Sequence, residues 1–406
     1  MKPGSRFYPV FPALKDYAWG SVDPEGAIAD LLRKNTGGEI PPGPYAELWY
    51  GDHPSGSSLL PDGTSLREQI QQEPEHILGR FAQTGKLPYL LKILESQSPL
   101  SIQAHPDREL AEVLHRKDPE HYPDANHKPE IAICLRPGFT AMAGFRSREG
   151  IEQSMARHPE LLALLPGLDG LAKANGTEKE VLKEAFAHLY RSSPDAIEEV
   201  SQTIKEKIQS CPAEQRTPSD SFFLRFCELY GMTDPGLFSI FLLNLVQFKP
   251  GESLFMGARE PHAYLQGAII ECMACSDNVV RGGLTPKFMD VDTLVEMLHY
   301  RMGPPDRVEP LLEGPSRIYQ PPVEDFQVWL LETTEEAQPL PNHVFPAILL
   351  SLSGSAEIRM EEERFELLPG RSVLLPASPV ESGKRYELSG PRSSVVLAGP
   401  GRPTNL

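Results

Sequence analysis

Two hydrophobic periods divide the chain. Over residues 147–235 apolar positions recur at helical spacing with charged faces between them, predicting helices at about 148–165, 178–191, 195–210 and 220–230. Asp195, just after Pro194, is the expected N-cap of the third. The apolar run 237–248 is expected to continue as a buried helix. Elsewhere the apolar pieces are short, alternate with polar residues and end at Pro or Gly, the pattern of strands joined by turns. Strand character is clear at 45–51, 87–94, 101–105, 130–134 and 249–256, and a long strand-rich segment covers 268–288. It returns at 345–352, 356–359, 365–367, 372–375 and 394–397. Helices are expected at 65–80, capped by Ser65 and interrupted by Pro74, and at 107–117, capped by Asp107.

This pattern predicts a mainly β protein with a helical insertion. One β unit is discontinuous, 1–146 with 249–315. A helical unit covers 147–248, and a small C-terminal β sandwich or jelly roll covers 316–406. A chain of 406 residues is long enough for two or three such units. Its 41 prolines and 32 glycines follow no repeat, which excludes collagen-like and low-complexity architectures and favours turns between strands.

The formal charge of −17 argues against non-specific nucleic-acid or membrane-surface binding. No segment is apolar enough to span a bilayer, and the N-terminus carries no signal-peptide core. Five cysteines, an odd number in a long chain, do not form a disulfide framework. The expectation is a soluble, cytoplasmic monomer.

Candidate chemistry centres on Ser101-Ile102-Gln103-Ala104-His105-Pro106. Gln103 and His105 are two apart, so on an extended strand both leave by one face, and both offer a metal-ligand atom. Glu130 heads the apolar strand 130–134, where a carboxylate either points to solvent or binds something. With His262 these make a set of two imidazoles, one carboxylate and one neutral oxygen. That set suits zinc and tolerates iron or manganese. Lys92, Lys128, Arg281 and Lys287 lie beside these positions and could form a local anion pocket. Cys272 and Cys275 form a CxxC pair with no second pair to complete a zinc site, and are expected to be ordinary buried thiols. His53 and His121 are expected in exposed loops, and His158 and His188 on helix surfaces. No GxGxxG or GxxxxGK[ST] loop is present, so nucleotide phosphate binding is not supported.

Four segments resemble the type I phosphomannose isomerases, a family of zinc-dependent sugar-phosphate isomerases. They are Ala46-Glu47-Leu48-Trp49 with His53-Pro54-Ser55-Gly56; residues 87–107; Asn126-His127-Lys128-Pro129-Glu130 with Gly144-Phe145-Arg146; and Glu260-Pro261-His262-Ala263-Tyr264 through Thr285-Pro286-Lys287-Phe288. The resemblance implies tandem cupin-like jelly-roll barrels with an inserted helical domain, the second barrel lacking metal histidines. It implies one zinc ion on Gln103, His105, Glu130 and His262. The implied reaction interconverts mannose 6-phosphate and fructose 6-phosphate through an enediol. By resemblance Arg281 stabilises the enediolate, and Lys92, Ser101 and Lys287 face the phosphate. Lys128, Tyr264 and Glu271 line the sugar site, with Trp19 and Glu47. Lys128 and His127 compete for the acid/base role, because a lysine near a divalent cation can have a lowered pKa. A metal oxygenase on the same ligands and a non-catalytic sugar-phosphate binder are the competing classes. Lys92, Lys287 and Arg281 count against the first, and the complete ligand set with Arg281 against the second.

Overall fold

A single strand, His262–Ala274, ties the larger sheet together. Its C-terminal half pairs antiparallel with Tyr89–Ser96 on one side and Glu130–Cys134 on the other. Its N-terminal half pairs with Gln103–Ala104 and Phe139–Phe145. Between the halves the register shifts at Tyr264/Gln266, and Gly267 sits at φ +106°. A Cβ there would stand 2.6 Å from the Cα of Phe139, so only glycine lets the strand bend at this point. The structure is a computed structural model and describes residues 4–173 and 178–402.

Side-chain alternation on three neighbouring strands sets the layers. Tyr89, Leu91 and Ile93, then Ile131 and Ile133, then Ile270 and Cys272 point to one face. There they meet Val328, Ile348, Leu350, Leu374, Val396 and Ala398 of a seven-stranded sheet built mostly from the C-terminal third. The intervening residues, Lys92, Glu130 and Glu271, belong to the other face. A four-stranded sheet covers the far side of the seven-stranded one across a core that includes Trp329, Leu349, Ile358 and Leu388. The molecule is therefore mostly sheet with an inserted helical unit.

Several expectations are corrected. Leu243–Phe248 is a strand paired with Phe139–Phe145, and only Ser239–Leu242 of the expected buried helix is α-helical. Tyr8–Val10 pairs with Ser372–Leu375, so the first strand joins the C-terminal sheet, away from the unit that holds its neighbours in sequence. The N-cap of Pro194–Ser210 is Ser193, whose hydroxyl accepts from the Ala196 N–H. Asp195 is one residue inside, because Pro194, having no N–H to satisfy, occupies the first helical position. Asp107 and Ser65 cap as expected, the latter in a capping box with Glu68, and Pro74 starts a separate short helix. Among the described residues no helix is long and apolar enough to cross a membrane. All five cysteines are free.

His158 also departs from the expected surface position. It is 2% exposed and its Nε2 lies 2.8 Å from Asp220 Oδ1. Asp220 closes a capping box with Thr217 and takes Arg157 on its other oxygen. Burial raises the Asp220 carboxyl, but bonds from Arg157, the Thr217 N–H and His158 outweigh it and hold the group at about 2. A depressed carboxylate contributes stability above its unfolded value near 4 and loses it as pH falls through the folded value. Asp220→Asn is expected to cost about 1–3 kcal/mol in urea unfolding at pH 7. The difference from the parent should shrink as pH drops from about 4 towards about 2.

Candidate metal centre

Three buried side chains converge at the heads of two strands and the end of a third. His105 follows Gln103–Ala104, Glu130 begins Glu130–Cys134, and His262 begins the long strand. Each is at most 2% exposed. One ligand atom from each lies within 4.8 Å of the others. The outer nitrogens are committed: His105 Nδ1 faces the Asn278 carbonyl at 2.8 Å, and His262 Nδ1 faces that of Glu260 at 3.1 Å. Protons therefore sit on Nδ1, and both Nε2 lone pairs point inward, the arrangement that metal-ligating histidines adopt.

The inner atoms His105 Nε2, His262 Nε2 and Glu130 Oε2 have no hydrogen-bond partner. Three orphaned acceptors in one buried spot are costly unless a cation satisfies them together. Two imidazoles and a carboxylate are the donor set of a zinc site. Burial pushes the His105 imidazole down to about 4, keeping it neutral with its lone pair available. Burial alone would raise Glu130, but Lys128 and His105 outweigh it and keep the carboxyl well below the usual range. Gln103 joins through the sheet: its backbone lies opposite His262 on one side and Arg281 on the other. Its side chain lines the same cavity as Glu130.

That cavity measures about 590 Å³. Its walls include Trp19, Glu47, Lys92 and Ser101, then Lys128, Tyr264, Glu271, Arg281 and Lys287, so nearly all the residues expected to touch substrate are brought together. Sheet register explains one row of them, since Trp49, Lys92 and Glu271 are direct cross-strand neighbours. Lys92 Nζ lies 2.9 Å from Glu271 Oε2 and 3.6 Å from Glu47 Oε2. Burial would lower its pKa, but Glu271 and Glu47 outweigh burial and raise it, so the ammonium stays charged. An ammonium held by two carboxylates is poorly suited to face a phosphate, which weighs against that expected role for Lys92. Arg281 and Lys287 have no carboxylate partner among the described residues.

His127 does not line the cavity. Its Nε2 turns to Asp325 Oδ2 at 2.9 Å. His53 is not an exposed loop residue: it is 2% exposed, packs edge-on to Trp49 and lies 3.4 Å from Asp277 Oδ1. Asp277 and Trp49 line the cavity and were not singled out from the sequence. Asp277 carries no local signal of a role, and Trp49 is legible only as part of the strand 45–51 and of one resembling segment. Leu229 and Tyr230 of the helical unit also reach the wall, and Tyr230 donates to the Pro99 carbonyl.

Asp52, beside His53, is 1% exposed, and its Oδ2 has no partner. Burial raises its carboxyl to about 6. A carboxyl raised on folding stabilises the native state below its unfolded value near 4, and that contribution is lost as pH rises through the folded value. Asp52→Asn keeps an acceptor for the Leu87 N–H and removes the buried charge. It is expected to raise stability by about 1–3 kcal/mol at pH 8 and to change it little at pH 4, read by denaturant unfolding at the two pH values.

The sheet-built cavity, with its inward-facing His–Glu–His set and its buried carboxylate and ammonium groups, defines a metal-site enzyme. The family description "Phosphomannose isomerase type I, catalytic domain" matches residues 7–148, and its helical insertion domain matches residues 160–243. Mannose-6-phosphate isomerase of Rattus norvegicus is 41% identical over 80% of this chain and 82% of that protein. The Saccharomyces cerevisiae enzyme is 34% identical over 93% and 95%. A crystal structure of mannose 6-phosphate isomerase from Salmonella typhimurium, bound to fructose 6-phosphate and zinc, superposes with a TM-score of 0.84. It is 30% identical and covers 98% of this chain and all of that one. The chain belongs to the type I phosphomannose isomerases.

Proposed function

We propose that this enzyme interconverts mannose 6-phosphate and fructose 6-phosphate, with zinc held by Gln103, His105, Glu130 and His262. The observation that carries the reading is the trio of orphaned, buried atoms on His105, Glu130 and His262, beside a cavity whose free cations suit a phosphate. Bound there, zinc supplies positive charge that polarises and orients sugar oxygens.

An aldose–ketose isomerisation moves a proton between adjacent carbons through an enediol, so it needs an acid/base group and a stabiliser for the developing oxyanion. Lys128 is the proposed proton carrier: it lines the cavity, with Nζ 3.0 Å from Glu130 Oε1, whereas His127 does not. Arg281, with no carboxylate partner among the described residues, stabilises the enediolate oxygen. Ser101 and Lys287 take the phosphate. Lys92, Glu47 and Glu271 hold sugar hydroxyls, with Tyr264 donating to Glu271 Oε1 at 2.9 Å. Trp19 and Trp49 shield the reacting carbons from water. We further propose that the ten-stranded sheet and the paired seven- and four-stranded sheets are tandem cupin-like barrels. The catalytic one is drawn from 11–146 and 243–310, the C-terminal one from 311–402 together with Tyr8–Val10. With all its thiols free, the enzyme is assigned to the cytoplasm.

Chelation is expected to abolish isomerisation in a coupled assay, and added zinc to restore it. His262→Ala should lose bound metal by elemental analysis. Cys275→Ser should keep it, because burial holds that thiol up at about 12 and unsuited to ligation. Metal retained in the histidine variant would mean the ligand set is wrong. Arg281→Ala is expected to lower kcat by about 10²-fold or more at unchanged zinc content, and an unaltered kcat would remove its oxyanion role.

A further inference from the structure

We propose that Asp325, which the C-terminal third of the chain contributes, is a positioning residue for the metal and proton-transfer site, acting through His127. Its side chain is 12% exposed and that of His127 20%. His127 Nε2 lies 2.9 Å from Asp325 Oδ2 and 3.0 Å from Arg108 Nη2. One imidazole nitrogen cannot donate to the carboxylate and accept from the guanidinium at once. The shorter contact and the carboxylate's acceptor-only chemistry put the proton on Nε2, donated to Asp325. Arg108, 60% exposed and 3.8 Å from Asp325 Oδ1, adds charge at the rim.

The placement of these three residues gives the contact its consequence. His127 stands one residue before Lys128 and three before Glu130, and Arg108 stands three after His105. Asp325 therefore braces two of the three segments that carry inward-facing ligands, as well as the proposed proton carrier. Its own base is fixed. Phe326 is fully buried in the core between the two larger sheets, and in that core Tyr89 donates to the carbonyls of Pro346 or Ala398, each 3.0 Å away. The 124–128 segment is pinned at its other end as well. Asp124 Oδ2 accepts from the Asp277 N–H at 2.8 Å, and Asn126 donates to the Cys275 carbonyl at 3.2 Å. With that end held by the 275–278 segment, Asp325 sets the direction of His127, and so keeps the imidazole outside the cavity and the neighbouring Lys128 inside it. On this account the C-terminal third, none of whose described residues lines the cavity, takes part in the chemistry through one carboxylate.

This inference rests on the isomerase reading, and the experiment separates the two. Zinc-loaded full-length enzyme carrying Asp325→Ala is compared with the parent, with Asp325→Asn, and with both changes in a His127→Ala background. Asp325→Ala is expected to lower kcat/KM for mannose 6-phosphate by about 10- to 100-fold and to weaken zinc, measured by chelator competition, by about 10-fold. Asp325→Asn, which retains an acceptor for His127, should recover most of both losses. In the His127→Ala background the second change should add less than about 2-fold, because the two residues act as one unit. Losses that add in full, no rescue by asparagine, or unchanged kcat/KM and zinc affinity would each overturn the proposal. A parent enzyme without isomerase activity would instead sink the isomerase reading, and zinc affinity would then decide the role of Asp325 by itself.

Discussion

Charge is buried on one face of a sheet whose other face packs a mainly apolar core, and the rest of the structure follows from that constraint. Tyr89–Ser96, Glu130–Cys134 and His262–Ala274 lie side by side. One set of alternate side chains fills the core against the C-terminal sheet, and the other set includes Lys92, Glu130 and Glu271. A one-residue slip of any of these strands would send a charge into hydrocarbon. Register is therefore fixed from both sides, by apolar packing behind and by ion pairing in front. Glu47, Glu130 and Glu271 are paired with two ammonium groups, Lys92 and Lys128, and Glu271 is itself raised by burial and by the other two carboxylates. Excess negative charge this deep is tolerable where a cation completes it. The orphaned inner atoms of His105, His262 and Glu130 mark the place.

What the sequence disclosed follows the range of the interactions involved. Alternation over 130–134 and the helical spacing of the insertion are local patterns and survive into the structure, except that the helix expected over 148–165 ends at Arg157, where Pro159 starts a separate 3-10 turn, Pro159–Ala163. Residues 237–248 failed because a continuous apolar run is equally compatible with a buried helix and a buried strand, and the pairing with Phe139–Phe145 that decides it is about a hundred residues away. Residues 8–10 fall inside the expected first unit, and their pairing with Ser372–Leu375 at the other end of the chain leaves no local pattern to reveal it. The site was legible as a set of residue types, because Gln103, His105, Glu130 and His262 each sit on or beside a predicted strand. What brings His262 opposite Gln103 is register, and no spacing rule in the sequence carries it. His53 was misread because a histidine next to proline looks like a turn residue, whereas Trp49 and Asp277, neither near it in that turn, bury it.

The helical insertion is part of the cavity wall. Tyr230 donates to the Pro99 carbonyl, and Arg225 donates to the Gln97 carbonyl and the Gln266 side chain. Residues 97–100 lead directly into Ser101 and Gln103. The insertion therefore steadies the segment from which one face of the site projects, and Leu229 and Tyr230 narrow the opening. The C-terminal sheet does the corresponding work from behind, through the apolar core and Asp325. The larger sheet alone would have neither support.

The cations of the cavity also bear on how an anionic sugar can lie in it. A phosphate gains most from positive charge that is not already offset. Lys92 is offset by Glu47 and Glu271, and Lys128 by Glu130. Arg281 and Lys287 have no such partner among the described residues, and Arg281 follows Val280 into a short strand opposite Gln103 and Ala104. The paired groups offer what uncharged hydroxyls need, carboxylate acceptors and ammonium donors already held in place without net attraction for an anion. The proposed assignment of ends meets both requirements: hydroxyls among the Lys92–Glu271 pairs, the charged groups of substrate and transition state near Arg281 and Lys287. The same unpaired state that makes Lys287 suitable for phosphate makes Arg281 suitable for an enediolate, and what separates their roles is the distance of each from Gln103. Arg281 is anchored directly across from that proposed ligand by backbone pairing, whereas Lys287 lies six residues further on, in an exposed segment.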